Sequence, residues 1–537
     1  MTERGDPMSV RKLFSLLFVF ALVVAACSSA DTSGTSESVD TTQPAPATTQ
    51  GTDDPEPAPT TTEAAESAQA DVILGLQLEP PTLDLTSSPA AAIPQVLLYN
   101  VYEGLVKLET DGSISPLLAE SWEISDDGLE WTFHLRSGVT FHNGEAFTAD
   151  DVVFSINNVL TKDPEHPFAT TLASVASVEA VDDVTVKVTL SQFSANFLFF
   201  MTQGQGVILE ESEVANIENS PVGTGPFAFE SWTPGDSIVI VKNADYWGDG
   251  ALVETVTYRY INDPNALNNA MLAGDIDIIA GVSAPELLEE FEGDDRFKVL
   301  TGRTNGEVTM ALNGYTAPLD NILVRQAITY AINSQDVVDL AYFGYGEMIG
   351  TGASPLDPYF VDLNDVYPYD QQKARDLLTE AGYTDDRPLK MLLPPVSYAR
   401  RGGQIVQAQL AEVGVTVDIE EVEWGVWLED VFANGAYDIS IVAHVEPRDI
   451  GQYGNAEYYW AYDNPDVAAL LAEADATPDD AARYALLGQV QEQITADAVN
   501  VWLFLLPALS VTKAGITGYD PNQPGLGLDL TSLALNE

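Results

Sequence analysis

Charged side chains gather after one apolar stretch in the second half of this 537-residue sequence. Residues 438–445, DISIVAHV, have the composition of a buried strand. The side chains at or just beyond its end are His444, Glu446, Arg448 and Asp449. Ligands of open α/β sheets bind at the carboxyl ends of the strands, where carboxylates pair with ammonium groups and a guanidinium pairs with a carboxylate. The pattern predicts a binding site for a charged ligand.

Two adjacent arginines, Arg400 and Arg401, follow the preceding apolar stretch, residues 389–396. The chain has only 13 arginines, so their grouping with Arg448 near one predicted sheet edge is conspicuous. A zwitterion buried in a cleft needs a partner for each of its charges, and these arginines could bind its carboxylate. Two structural alternatives stay open. Arg400 and Arg401 could be the solvated start of a helix, and Arg448 could form an ion pair with Asp449.

Aromatic residues flank the same region. Trp424 and Trp460 could line the predicted pocket, although aromatic residues beside a strand are more often part of the core. Tyr458 and Tyr459, next to Trp460, would also suit stacking on a sugar ring. His444 at the strand end keeps binding of a metal complex open. The ligand class therefore stays undecided between these alternatives.

Catalytic motifs are missing from the sequence. It contains no GxSxG elbow, no GxxxxGK[ST] phosphate loop and no HExxH zinc helix, and its four histidines are scattered. The single cysteine, Cys27, allows no disulfide or CxxC pair within the chain. We therefore expect a binding protein that is not an enzyme and that has no resident metal or cofactor.

The sequence predicts both strands and helices to position these residues. Segments 130–135 and 184–190 alternate apolar and polar residues, which predicts half-buried antiparallel strands. Apolar residues of segment 324–332 recur with helical spacing, and we expect Asp320 to cap that helix. Gly382 is a natural helix end. Antiparallel pairs mixed with strand–helix alternation predict an α/β fold.

The first seventy residues have the composition of a targeting signal followed by a flexible tether. An uncharged run, residues 13–26, follows basic residues and ends in Val-Ala-Ala before Cys27. This predicts a signal peptide over residues 1–26 with a lipobox, and a lipid attached to Cys27. Residues 27–70 are rich in Ser, Thr, Pro and acids, which predicts a disordered tether. We expect contact with the membrane only through this lipid.

The charge of the chain limits its partners. Its 82 acidic and 22 basic residues give a formal net charge of −60. Such a surface repels nucleic acid and anionic lipid headgroups, so neither is expected as a partner. Adaptation to salt or a need for solubility explains the charge more simply than attraction of a ligand does. We expect a monomer.

Three long segments resemble the bacterial extracellular solute-binding proteins of family 5, which serve peptide and nickel ABC importers. They are residues 118–160, LAESWEISDDGLEWTFHLRSGVTFHNGEAFTADDVVFSINNVL; residues 222–248, VGTGPFAFESWTPGDSIVIVKNADYWG; and residues 311–333, ALNGYTAPLDNILVRQAITYAIN. The similarity extends from Val72 onward. It implies a two-lobed α/β periplasmic-binding-protein fold (type II, cluster C-like), with an extra subdomain in the first lobe.

The resemblance also implies boundaries for these parts. Lobe I would comprise residues 71–310, with the subdomain 108–222 inserted, and lobe II residues 311–505. Residues 506–537 would return to lobe I. The motifs themselves are mostly structural, so the resemblance predicts the fold better than the ligand.

The implied function is capture of short peptides by cleft closure, followed by delivery to the permease subunits of an ABC importer. The protein would be anchored by lipid on the extracytoplasmic face of the cell membrane. Dipeptide-binding relatives pair the peptide ammonium with an aspartate that follows this strand, and Glu446 is its counterpart here. They take an arginine for the carboxylate from the preceding loop, which points to Arg400 or Arg401. A nickel chelate or an oligosaccharide is the alternative ligand.

Overall fold

The computed structural model describes residues 71–162 and 166–536. The predicted signal peptide, the lipidated Cys27 and the tether lie outside these residues. Within them, no helix combines the length and the apolar composition that are needed to cross a bilayer.

Eighteen strands are found in the described residues. They are β1 (Asp71–Leu76), β2 (Val106–Leu108), β3 (Ile114–Pro116), β4 (Ala119–Ile124), β5 (Glu130–Leu135), β6 (Val175–Asp182), β7 (Thr185–Leu190), β8 (Phe227–Thr233), β9 (Ser237–Lys242), β10 (Thr255–Tyr260), β11 (Ile278–Ala280), β12 (Phe297–Leu312), β13 (Leu389–Leu393), β14 (Val417–Glu421), β15 (Ile439–His444), β16 (Asn500–Lys513), β17 (Ile516–Thr517) and β18 (Ala534–Leu535).

The same residues form eleven α-helices and several shorter turns of helix. The α-helices are α1 (Ala92–Leu97), α2 (Ala149–Thr161), α3 (Phe197–Phe200), α4 (Pro264–Ala273), α5 (Ile322–Ala331), α6 (Ser334–Ala341), α7 (Gln371–Glu380), α8 (Ser397–Glu412), α9 (Trp424–Trp427), α10 (Pro465–Asp475) and α11 (Asp480–Ala496). Short 3-10 segments are Ala169–Leu172, Gly204–Gly206, Glu211–Asn216, Pro285–Glu290 and Asp449–Gly454, and a π-helical turn spans Leu428–Ala433.

One ten-stranded sheet connects most of these strands, in the order β14-β13-β15-β12-β16-β11-β1-β10-β9-β8. A separate four-stranded antiparallel sheet, β4-β5-β7-β6, is built from residues within 119–190. The alternating segments of the sequence pair here as predicted, with Trp131 opposite Val188 and Phe133 opposite Val186. Val184, however, precedes β7 and is exposed.

The long strands β12 and β16 are neighbours in the large sheet, and each contributes to both of the lobes defined below. Their antiparallel register shifts between Arg303 and Glu307. We use lobe I for the described residues up to 303 and from 507, and lobe II for residues 307–505. The boundary at 310 and 311 and the other domain limits that the sequence suggests stay predictions.

Helix ends follow the sequence closely. Thr148 and Asp151 form a reciprocal capping box at the start of α2. Helix α7 ends before Gly382, whose φ of 65° is one that glycine adopts without strain. The expected cap of α5 was wrong by one residue. Asn321, rather than Asp320, occupies the N-cap, because its side-chain oxygen accepts a hydrogen bond from the Leu323 N–H at 3.0 Å.

The motif at residues 222–248 encloses a buried acid, Glu103, in lobe I. Its carboxylate accepts hydrogen bonds from Thr224 Oγ1 at 2.8 Å, Tyr246 Oη at 2.8 Å and Trp247 Nε1 at 3.0 Å. Gly223 lies so close to the backbone of Val101 that a Cβ would come within 2.0 Å of its carbonyl oxygen. The motif therefore supports the packing of lobe I.

Candidate functional site

The predicted sheet edge exists in lobe II. Strands β13 and β15 are parallel neighbours, so their carboxyl ends meet at one edge. Tyr398, in the first turn of α8 after β13, accepts a hydrogen bond from the Ala443 N–H at 3.0 Å through its hydroxyl oxygen. This contact ties the segment after β13 to the end of β15, from which the predicted charged residues emerge.

His444 ends β15 and is buried, with 7% of its surface exposed. Its Nε2 lies 2.8 Å from the hydroxyl oxygen of Tyr459, and its ring lies nearly parallel to that of Tyr459. Its Nδ1 lies 3.5 Å from a carboxylate oxygen of Asp449. The imidazole is therefore held between an aromatic residue and an acid, with Nδ1 directed to the acidic side.

Glu446 and Asp449 lie beside His444. Single donor atoms of these three side chains are all within 4.8 Å of one another, a spacing that could hold a metal ion. The Glu446 carboxylate also accepts a 3.3 Å hydrogen bond from the Val445 N–H. The structure thus brings together three of the residues predicted from the sequence.

Arg448 sits between these acids with a left-handed backbone, at a φ of 61°. A residue other than glycine rarely adopts this conformation. Where such a residue does occur, it often belongs to a functional site. Its guanidinium lies 4.3 Å from the ring centroid of Phe199, in lobe I. Arg448 therefore reaches from lobe II across to lobe I.

Two buried acids that the sequence did not suggest complete the site. Glu307, 6% exposed, faces His444 in the register of β12 and β15. Asp357, 8% exposed, accepts a hydrogen bond from the Ser354 N–H at 3.0 Å, and Ser354 Oγ donates to the Thr304 carbonyl oxygen at 2.9 Å. The last contact fixes this loop to β12.

We call Glu307, Asp357, Glu446 and Asp449 the acidic cluster. Burial raises the pKa of Glu307 well above its usual value, and repulsion from the other three acids adds to the shift. Burial also raises the pKa of Asp357, to about 6, against the attraction of Arg448. The pKa of Glu446 is raised by burial and partly lowered by His444. The repulsion that Asp357, Glu446 and Asp449 exert on Glu307 indicates that the four carboxyl groups lie close together.

Aromatic rings pack on the other side of His444. We call the set of Tyr453, Tyr458, Tyr459 and Trp460 the aromatic wall. The Trp460 ring lies 4.4 Å from that of Tyr458 and 4.5 Å from that of Tyr453, centroid to centroid. Trp460 is 1% exposed, and its Nε1 has no hydrogen-bond acceptor among the described residues.

Trp424 packs on a second tryptophan, Trp427. It stacks on Trp427 at 5.1 Å, and Trp427 in turn contacts Tyr459 edge-on at 5.8 Å. Trp427 is buried and donates a hydrogen bond from Nε1 to Ser440 Oγ at 2.9 Å. Trp424 is thus connected to the aromatic wall through Trp427, and its contact with a ligand stays a prediction.

Arg400 and Arg401 lie in the first two turns of α8 and have acidic partners of their own. Arg400 Nε lies 3.2 Å from a Glu421 carboxylate oxygen, without the alignment of a hydrogen bond. Arg401 donates a hydrogen bond to Glu286 of lobe I at 3.1 Å, and its guanidinium lies over the ring of Phe343. These contacts tie α8 to its surroundings. The role of either arginine in binding a carboxylate stays a prediction.

Sequence reasoning missed Glu307 and Asp357 for a physical reason. Each is a single acid in a chain with 82 of them, and neither follows the end of a strand of its own lobe. Only the antiparallel pairing of β12 with β15 brings Glu307 beside His444. The one sequence signal was the position of Glu307 directly before the mostly apolar segment 308–312, VTMAL. An exposed acid at the start of any strand would give the same pattern.

The arrangement favours binding of cations over catalysis. The acids offer many acceptor oxygens, and an ammonium group carries three donors.

Known proteins share this architecture. Residues 113–459 match the family model described as bacterial extracellular solute-binding proteins, family 5 Middle. Heme-binding protein A of Haemophilus influenzae is 32% identical over 361 residues, which are 60% of this chain and 65% of that protein. The match therefore spans just under two thirds of that relative.

Two solved structures extend the likeness. The ABC transporter substrate-binding protein CtaP from Listeria monocytogenes superposes with a TM-score of 0.78 at 25% identity, over 87% of this chain and 99% of that chain. The periplasmic binding protein DppA from Helicobacter pylori, in complex with the peptide STSA, gives a TM-score of 0.67 at 26% identity, over 87% and 98%. The predicted periplasmic-binding-protein fold, with its extra small antiparallel sheet, is confirmed. The chain belongs to the bacterial extracellular solute-binding proteins of family 5, a family of binding proteins rather than enzymes.

Proposed function

We propose that this chain is the extracytoplasmic substrate-binding component of an ABC importer and that its cleft captures short peptides. The observation that carries this proposal is the acidic cluster, which gathers two buried and two half-buried carboxyl groups at the strand edge where ligands of α/β folds bind. The peptide held by the Helicobacter pylori relative supports the ligand class. The protein works as a monomer, and its closed form docks on the permease subunits.

In this scheme the peptide ammonium binds Glu446 and Asp449. The spacing of their oxygens within 4.8 Å of each other suits one ammonium group that donates to both. The aromatic wall packs against the first side chain of the peptide. Arg448, which contacts Phe199 of lobe I, lies where a bound carboxyl or carbonyl group would link the two lobes.

Removal of the Glu446 carboxylate tests the ammonium contact. A hydrogen bond to a charged group contributes about 1.5–3 kcal/mol, so Glu446→Ala should weaken binding of a tripeptide about tenfold to a hundredfold. Acetylation of the peptide's N-terminus should weaken wild-type binding by a similar factor. The two changes remove the same interaction, so together they should weaken binding by less than the product of the two factors.

Titration calorimetry on the four combinations measures this coupling. Glu457→Ala is the matched control, because Glu457 is an exposed acid on the same segment and its loss changes the net charge equally. The control should bind both peptides like the wild type. Purely multiplicative losses for Glu446→Ala would remove this residue from the ammonium site.

A metal chelate is the second candidate ligand, because His444, Glu446 and Asp449 have the spacing of a metal site. His444 could offer only Nδ1, since its Nε2 is engaged by Tyr459. The same calorimeter separates the candidates. If NiCl₂ or its histidine complex binds wild-type protein while tripeptides do not, the chelate replaces the peptide as ligand.

The anchor belongs to the same proposal. The protein is held on the extracytoplasmic face of the cell membrane by a lipid on Cys27, which follows the apolar signal run. Cys27→Ser should abolish this modification. Labelling of cells with a fatty acid should mark the wild-type protein only, and label on the substituted protein would disprove the lipobox.

A further inference from the structure

The acidic cluster carries more negative charge than one ammonium group balances. Its four carboxylates face a single guanidinium, that of Arg448. Arg448 forms no ion pair within 4.0 Å among the described residues, and its side chain instead covers the ring of Phe199. Even if His444, whose Nδ1 lies 3.5 Å from Asp449, is counted as a second cation, two negative charges would lack a partner when all four acids are ionised. Unpaired charges in a buried region are costly.

Glu307 gives an independent sign of a ligand. Its side chain is more than nine-tenths buried, and no donor among the described residues forms a hydrogen bond with its carboxylate. Its oxygens are not fully enclosed by the described residues, so they can accept from a ligand instead of from the fold. Glu307 faces His444 across the β12–β15 pair, and the groups that act on it are Asp357, Glu446 and Asp449. Its carboxylate is thus directed into the cluster.

The four acids come from three separate parts of lobe II. Glu446 and Asp449 follow β15, whereas Glu307 lies on β12 and Asp357 lies in a loop fixed to β12. An ammonium group donates only three hydrogen bonds, which Glu446 and Asp449 can accept. Glu307 and Asp357 then remain for a second cationic group on the same ligand.

We propose that this site selects a ligand end with two positive charges, such as a short peptide whose first residue is lysine, ornithine or arginine. The inference rests on the peptide function proposed above and names its substrate class. The α-ammonium binds at Glu446 and Asp449, and the side-chain cation of the first residue binds at Glu307 and Asp357.

Three tripeptides test this selection on the unmodified protein. Lysyl-alanyl-alanine carries both charges at one end, norleucyl-alanyl-alanine has the same carbon chain without the second charge, and alanyl-alanyl-lysine carries that charge at the other end. In calorimetry at physiological salt, the first should bind at least about tenfold more tightly than the other two.

The substitution Glu307→Gln locates the second charge. In this variant the affinities for lysyl-alanyl-alanine and norleucyl-alanyl-alanine should come to within about threefold of each other, whatever the change in overall affinity. Glu457→Gln, which removes the same charge from an exposed position, should keep that preference.

The outcomes separate the two proposals. Equal wild-type binding of the lysyl and norleucyl peptides would overturn the selection for a second charge and leave the peptide function intact. Equal binding of lysyl-alanyl-alanine and alanyl-alanyl-lysine would also overturn it. Binding of none of the three would remove both proposals. If Glu307→Gln does not fold, the wild-type comparison decides alone.

Discussion

Glu103 and Glu307 are both buried glutamates, and they lie in regions with opposite surroundings. Glu103, 1% exposed in lobe I, accepts hydrogen bonds from Thr224, Tyr246 and Trp247. Glu307, 6% exposed in lobe II, has three acids as its electrostatic neighbours and no donor among the described residues. A buried acid surrounded by donors of its own fold is part of the packing. A buried acid surrounded by other acids points to a partner from outside the fold.

Alanine substitutions should reveal this difference most strongly. Glu103→Ala leaves one buried and two partly buried donors without their acceptor, at about 1 kcal/mol each, so it should lower the free energy of unfolding by about 3 kcal/mol. Glu307→Ala removes a carboxyl group that accepts no hydrogen bond from the described residues and whose ionisation its acidic neighbours oppose. This offsets the lost packing, so the change should stay below about 1.5 kcal/mol.

Urea unfolding of both variants and the wild type without ligand measures these changes. Similar losses for the two variants would break the comparison, because Glu307 would then have a structural role like that of Glu103. If Glu307→Ala weakens peptide binding and leaves the free energy of unfolding nearly unchanged, the contrast between the two glutamates becomes sharper.

A smaller effect should appear in the pH dependence of stability. Burial raises the pKa of Glu103 to about 7, from an ordinary value of 4.5, because desolvation outweighs its three donors. The folded protein then keeps a proton that the unfolded chain has released. The stabilising contribution of Glu103 is therefore full below about pH 4.5 and is lost as the pH rises through about 7.

Glu103→Gln carries no such proton. Between about pH 4.5 and about pH 7.5, the wild type should lose about 2–3 kcal/mol of stability relative to this variant. Urea unfolding at several pH values gives the difference between the two proteins, in which the contributions of the other acids cancel. A difference that does not change with pH would contradict the raised pKa.

The sequence predicts local elements well because their causes are local. The buried faces of β5 and α5, the capping box of α2 and the helix end at Gly382 each depend on residues a few positions apart. The predicted N-cap of α5 was one residue too early. Asp320 and Asn321 are both residue types that cap helices well, and only the backbone conformation decides between them.

The site could be predicted only where it follows one strand. His444, Glu446, Arg448 and Asp449 are neighbours in the sequence, and the structure brings donor atoms of three of them within 4.8 Å of one another; their contact with a ligand stays a prediction. Glu307 joins them through the register of β12 with β15, a pairing between residues more than 130 positions apart. Sequence periodicity carries no information about such a pairing, and the abundance of acids hides the residue.

The path of the chain through lobe I also determines when that lobe can fold. Asn100 is buried, and its amide donates to the Leu528 carbonyl at 2.7 Å while its oxygen accepts from the Leu530 N–H at 3.0 Å. A chain that emerges from its N-terminus, in synthesis or in export, therefore exposes Asn100 more than 400 residues before these partners arrive. Contacts so distant in sequence form late. Lobe I should stay incompletely packed, and hence easily threaded through a translocation channel, until almost the whole chain has been delivered.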